Sequence, residues 1–126
     1  MLLLLIVQFL LGMSMNLFAV SPSDPKFAAE PILIKLIFPS HIVAALLLLI
    51  GAIFILIISA RSKINEWIKV AGQGLIAIVL AVGGGLATIF LTGIGSEIAS
   101  LIMAISFLWS FIAYGRFYYL LRPKIN

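Results

Sequence analysis

The residue in this chain best suited to chemistry is His41, the single histidine among 126 residues. It follows Pro39 and Ser40, which predict a helix start, and it precedes an uncharged apolar run from Ile42 to Ala60. An imidazole here is suited to ligating a haem iron, transferring a proton or contacting a quinone. The simpler alternative is a histidine at a helix end that is hydrated or bonded to a neighbouring carbonyl.

A second haem ligand would have to be a residue other than histidine. Met103, roughly two turns inside the fourth apolar segment, is the best candidate, because a thioether ligates haem iron in some cytochromes. The alternative is that Met103 only fills the core. The sequence therefore offers His41 as a candidate metal ligand, His41 and Met103 as candidate cofactor-binding residues, and haem b as the candidate cofactor.

Most other chemistry lacks the residues it needs. The chain has no cysteine and only four acidic residues, so thiolate sites, two-histidine metal sites and paired carboxylates are excluded. No charged side chain lies deep within a predicted span, which argues against an ion-coupled transporter. We therefore expect a protein that is not an enzyme.

The composition indicates a lipid environment. The chain is 64% hydrophobic and 10% charged, whereas soluble domains carry roughly 25% charged residues. The net charge of +4 comes from basic residues at the borders of apolar segments. That placement is typical of membrane orientation signals rather than of nucleic-acid binding.

The apolar segments predict an all-α polytopic membrane protein, a four-transmembrane-helix up-down bundle that forms a single transmembrane domain over residues 1–126. The predicted helices cover about residues 2–20, 40–60, 69–92 and 97–120, with an outer loop at 21–39. The first segment has some features of a signal peptide, but no basic residue precedes it, and we expect a retained helix.

The prolines of the outer loop interrupt a long helix, so its second half, ILIKLIF, is expected to lie along the membrane surface or against a partner protein. One helix running from Pro31 to Ala60, kinked at Pro39, is the alternative.

Glycines concentrate in the third segment. Gly83, Gly84 and Gly85 are the predicted helix-packing residues, because glycine lets the backbones of neighbouring membrane helices approach closely. Nothing in this run matches a phosphate-binding loop.

Charge asymmetry predicts the orientation. With four spans, one side of the membrane carries six basic residues and Glu66, namely Arg61, Lys63, Lys69, Arg116, Arg122 and Lys124. The other side carries two basic residues, Lys26 and Lys35. The positive-inside rule then places both termini in the cytoplasm and His41 near the outer face of the cell membrane. An aromatic belt at the headgroups is expected from Tyr114, Phe117, Tyr118 and Tyr119.

Residues 39–121 resemble small four-helix membrane proteins related in style to one half of haem A synthase. The resemblance rests on PSHIVAALLLLIGAIFILIISARSK, a glycine-rich third helix and SLIMAISFLWSFIAYGRFYYLL. It implies a haem-b carrier with one histidine opening a helix and a second in a later helix. His41 matches the first position, and Met103 lies in the segment where the second histidine is expected.

These observations favour a small non-catalytic accessory subunit of a larger membrane complex, in a respiratory chain or another electron-transport assembly. Its partners would be lipid, other membrane subunits and a quinone. The alternatives are a stand-alone haem-b electron carrier with His41 as axial ligand, and a small pore- or holin-like oligomer.

Overall fold

The computed structural model describes residues 1–18, 29 and 31–121, and within these residues the chain forms four α-helices and no strand. The helices are α1 (Leu2–Phe18), α2 (Ile32–Ser62), α3 (Asn65–Phe90) and α4 (Ile94–Leu120). The predicted all-α class is confirmed. Within the predicted outer loop at 21–39, residues 21–28 and 30 lie outside the described residues.

The second helix begins earlier than predicted. α2 starts at Ile32 and passes through Pro39 without a break, so the prediction of a helix start at Pro39–Ser40 and of a separate surface segment before it is wrong. The alternative of one continuous helix is the arrangement found. Pro39 has no N–H and leaves one intrahelical hydrogen bond unmade, which apolar membrane helices tolerate better than soluble ones.

The connections between the later helices are short. α3 begins at Asn65, directly after Lys63 and Ile64, and α4 begins at Ile94, directly after Gly93. Gly93 has a φ of 56°, in the region that side-chain-bearing residues rarely adopt, so glycine suits this turn. Residues 94–96, which lie between the predicted helices 69–92 and 97–120, therefore belong to α4.

Three of the helices are long and apolar enough to cross a membrane: α2, α3 and α4. Their lengths of 31, 26 and 27 residues exceed the roughly 20 residues that a hydrocarbon layer requires. α1 has 17 residues, at the short end of the range for a spanning helix. A membrane protein is thus supported by three candidate spans.

The chain divides into two compact units. One unit comprises Leu3–Leu48, which is α1 with the first half of α2, and its buried apolar residues are Leu5, Ala44 and Leu48. The other contains Met1–Leu2 and the chain from Leu49 onward, where α3 packs along α4.

The second unit has a core at the start of α3 and the end of α4. Val70, Ala71 and Phe117 form a buried cluster. Trp67 packs on the edge of Phe117, with ring centroids 6.0 Å apart and planes at 63°. Trp67 therefore contributes to packing between α3 and α4 in addition to any role at the membrane surface.

Candidate functional site: a polar pair and two glycine contacts

His41 lies on α2 and makes a side-chain hydrogen bond to α1. The side-chain amide of Gln8 donates to Nε2 of His41, with the two nitrogens 3.1 Å apart. Gln8 is only 8% exposed, so this bond joins two polar groups inside an apolar contact. In this arrangement Nε2 is the acceptor and the ring proton lies on Nδ1.

The backbone of α1 makes room for the imidazole. A Cβ placed on Gly12 would lie 3.2 Å from Cε1 of His41, closer than ordinary van der Waals contact. Gln8 and Gly12 are one turn apart and so lie on the same face of α1. The ring therefore fits between an amide and a bare stretch of helix backbone.

Two atoms of the pair remain without partners. Nδ1 of His41 and Oε1 of Gln8 are enclosed and have no hydrogen-bond partner among the described residues. A buried polar atom without a partner costs about 1–3 kcal/mol. The pair therefore joins α1 to α2 and leaves one donor, Nδ1 of His41, and one acceptor, Oε1 of Gln8, without a hydrogen bond.

Gln8 is absent from the candidate residues that the sequence predicts. The sequence offers two amides in the first helix, Gln8 and Asn16, and one imidazole in the second, His41. Which amide faces His41 depends on the register between the two helices.

Met103 lies in the contact between α3 and α4. Its backbone nitrogen and Cβ would be 2.9 and 3.0 Å from a Cβ on Gly84, and its sulfur would be 3.2 Å from a Cβ on Gly85. Met103 and His41 belong to different compact units, and each has its own local partners. Met103 therefore packs against glycine backbone.

The three consecutive glycines have different surroundings. A Cβ on Gly84 would also come within 2.9 Å of the Ala99 carbonyl oxygen, which is main chain and cannot rotate away. A Cβ on Gly83 would meet no atom within 4 Å. Gly84 and Gly85 thus pack against α4, while Gly83 faces away from it.

A second close contact joins α3 to α4 at Gly74. A Cβ on Gly74 would lie 2.6 Å from Cζ of Tyr114, so the phenol ring occupies the space that a side chain would need. Tyr114 is 2% exposed, and its hydroxyl has no partner among the described residues. The predicted aromatic belt is therefore wrong for Tyr114 and for the buried Phe117, whereas Tyr118 and Tyr119 are exposed.

Other hydroxyl groups in the second unit bond to their own helices. Ser59 donates to the carbonyl of Ile55, and Ser110 donates to the carbonyl of Phe107. These bonds satisfy the hydroxyls without presenting them to a ligand. Within the part of the chain that the structure describes, no three His, Cys, Asp or Glu residues cluster as a metal site would require.

The haem b implied by the resemblance requires an available imidazole nitrogen. Nε2 of His41 is bonded to Gln8 and Nδ1 is enclosed, so in this conformation neither nitrogen is open to an iron. Ligation would require the Gln8 bond to break and α1 to move.

Comparisons of the chain with known protein families, with curated proteins and with solved structures find no match. The resemblance to haem-b proteins therefore stays a prediction from the sequence.

Proposed function

We propose that this chain is a small non-catalytic integral membrane subunit of a larger membrane complex. The observation that carries the proposal is a pair of glycines on α3, Gly72 and Gly83, that no contact among the described residues explains. A Cβ at either position would meet nothing within 4 Å. Glycine inside a helix costs roughly 0.5–1 kcal/mol relative to alanine, and close approach of a helix from another chain would offset that cost.

The two glycines lie on one face of α3. They are about three turns apart, and at 100° per residue they differ by about 20° around the helix axis. The side chains of Ile76 and Val79 lie between them on the same face and are 55% and 51% exposed. Gly74, which contacts Tyr114, lies on the opposite side. α3 thus presents one glycine face to α4 and another outward.

The finer topology belongs to the same proposal. We place α1 as a fourth span in an up-down arrangement in the cell membrane, with both termini cytoplasmic. The support is the excess of basic residues at one set of helix ends. Lipid and the helices of other subunits would cover the exposed apolar faces.

We further propose that the complex is a respiratory or other redox assembly and that a quinone is its small partner. The support is the resemblance over residues 39–121 and the imidazole of His41. The Gln8–His41 pair would hold α1 in position within that assembly.

The two alternative functions require arrangements of side chains that differ from the one described. A stand-alone haem-b carrier requires His41 to exchange its bond with Gln8 for a bond to iron. A pore requires hydroxyls to line a conduit, whereas those of Ser59 and Ser110 bond to their own helices. The subunit proposal requires no rearrangement of the described residues.

The test compares three tagged chains isolated from native membranes in a mild detergent. The unmodified chain is expected to run with other polypeptides in a large complex on a native gel. Gly83→Leu should run alone while keeping its helix content, because the added side chain faces the partner and not α4. Ala104→Leu, which places the same leucine side chain at an exposed position of α4, is the control and should stay in the complex.

The proposal fails if the unmodified chain is released alone, or if Gly83→Leu stays in the complex as well as Ala104→Leu does. Absorption spectra of the same samples test the haem alternative. A Soret band that accompanies the isolated chain and disappears in His41→Ala would establish a haem carrier instead. Ion leakage from vesicles that contain only this chain would establish a pore.

A further inference from the structure

The ends of α3 and α4 form a pocket of about 420 Å³ lined by Glu66, Gly115, Arg116, Tyr119 and Leu120. Glu66 is in the first turn of α3, and the other four residues are near the end of α4. The pocket therefore lies at the end of two candidate spans, where apolar helix surface meets charged residues. In a membrane this is the level of the lipid headgroups.

The open space in the pocket comes from Gly115. A Cβ there would meet no atom within 4 Å, so no residue in the described part of the chain fills the space beside Gly115. Tyr119 and Leu120 are exposed and provide apolar walls. The pocket thus has a bare backbone floor and carbon-rich sides.

The charge around the pocket is positive. Glu66 is bound to Lys69, with Oε1 and Nζ 3.4 Å apart, and these two charges cancel locally. Arg116 is exposed and forms no ion pair with any residue that the structure describes. The guanidinium of Arg116 is therefore available to an anion, and Lys63 adds positive charge nearby in the chain.

We propose that this pocket binds the phosphate headgroup of an anionic phospholipid, with Arg116 as the phosphate ligand. A guanidinium matches phosphate oxygens with two parallel N–H donors. The phenol of Tyr119 supplies a further donor at the rim. The inference needs only that α3 and α4 span the membrane, and it is independent of the subunit proposal.

The surface next to the pocket favours a lipid over a free phosphate. Ile112 and Leu108 precede Gly115 by one and two turns, so all three residues share one face of α4. Both side chains are exposed, by 56% and 62%. An acyl chain attached to a headgroup at Arg116 would run along this face toward the middle of the membrane. A free phosphate would use none of it.

The test measures lipid retention by the full chain with native mass spectrometry. The protein is reconstituted in vesicles of equal parts phosphatidylglycerol and phosphatidylcholine and then extracted. The unmodified chain should retain phosphatidylglycerol in preference to phosphatidylcholine. Arg116→Gln should reduce that retention by about tenfold, the effect of losing one charge-assisted contact. Gly115→Leu should reduce it similarly by filling the pocket.

Arg61→Gln is the matched control, since it removes the same charge from a position outside the pocket. It should leave retention unchanged. Equal retention of the two lipids by the unmodified chain would overturn the proposal. Equal losses in Arg61→Gln and Arg116→Gln would also overturn it, because they would indicate attraction by net charge alone. Displacement of phosphatidylglycerol by glycerol 3-phosphate at the same concentration would overturn the choice of a lipid.

Discussion

The contact between α3 and α4 can be tested at two adjacent residues whose substitution should have opposite effects. Alanine adds the same single carbon at Gly83 and at Gly84. At Gly84 this carbon would lie 2.9 Å from the carbonyl oxygen of Ala99 and 2.9 Å from the backbone nitrogen of Met103. At Gly83 it would meet nothing within 4 Å. Comparing the two alanine substitutions therefore separates the cost of overpacking from the gain in helix propensity.

The expected magnitudes follow from two effects. Replacing glycine by alanine inside a helix gains about 1 kcal/mol at either position, because the unfolded chain loses conformational freedom. Overpacking costs about 1–3 kcal/mol, and the upper end applies at Gly84 because the atoms it meets are main chain. Gly84→Ala should thus destabilise the protein by about 2 kcal/mol, while Gly83→Ala stabilises it by about 1 kcal/mol.

The assay is reversible unfolding of the purified chain in mixed micelles with increasing dodecyl sulfate, followed by circular dichroism. The isolated chain is used so that no partner contact contributes. The reasoning is refuted if Gly84→Ala is as stable as Gly83→Ala. Gly84→Leu extends the series and should prevent α3 from packing on α4.

Three further predictions concern other parts of the chain. Gln8→Leu removes the donor to His41 and should destabilise the α1–α2 contact by about 1–3 kcal/mol. The measurement is the rate of proteolysis of α1, which should be faster than in a Leu3→Ile control. Equal rates of proteolysis would contradict the pairing of Gln8 with His41. Tyr114→Phe should leave the free energy of unfolding unchanged or raise it slightly, because the hydroxyl that it removes has no partner among the described residues. A decrease of more than about 1 kcal/mol in the same unfolding assay would contradict this and indicate a hydrogen bond to the hydroxyl. Arg61→Glu combined with Lys63→Glu should disturb insertion by weakening the positive-inside bias, and an unchanged protease-accessibility pattern would refute the orientation.

The sequence predicts the class of structure through the length of its apolar runs. An uncharged run such as 42–60 has about the 20 residues that a membrane helix needs, whereas a membrane strand needs about 10. The start of α2 differs from the prediction because a proline is typical of a helix boundary, whereas Pro39 lies inside α2. Proline costs a helix about 3 kcal/mol or more in water, but an apolar helix of 31 residues can continue through it.

Side-chain partners were harder to predict, because they depend on the register between helices. The bond between Gln8 and His41 exists only if α1 and α2 align at those residues. The buried position of Tyr114 had a local signal, since Ser106, Ser110 and Tyr114 recur every four residues and so share one helix face. The aromatic residues that follow Tyr114 favour a belt at the headgroups, and this pattern conceals the buried face.

The positions of the glycines were predicted only in part from the sequence. Their number predicted close helix packing, and Gly84 lies against main-chain atoms of α4. The sequence did not indicate that Gly72 and Gly83 face the other way. That division depends on which side of α3 receives α4.

The central claim, that the outer glycine face of α3 is covered by another protein, is tested most directly at Gly83. The chain has no cysteine, so Gly83→Cys and Ala104→Cys each introduce a single thiol. In native membranes a lipid-soluble maleimide should label Gly83→Cys more slowly than Ala104→Cys, because another protein covers the first thiol and lipid surrounds the second. Equal rates of labelling at the two positions would contradict the account.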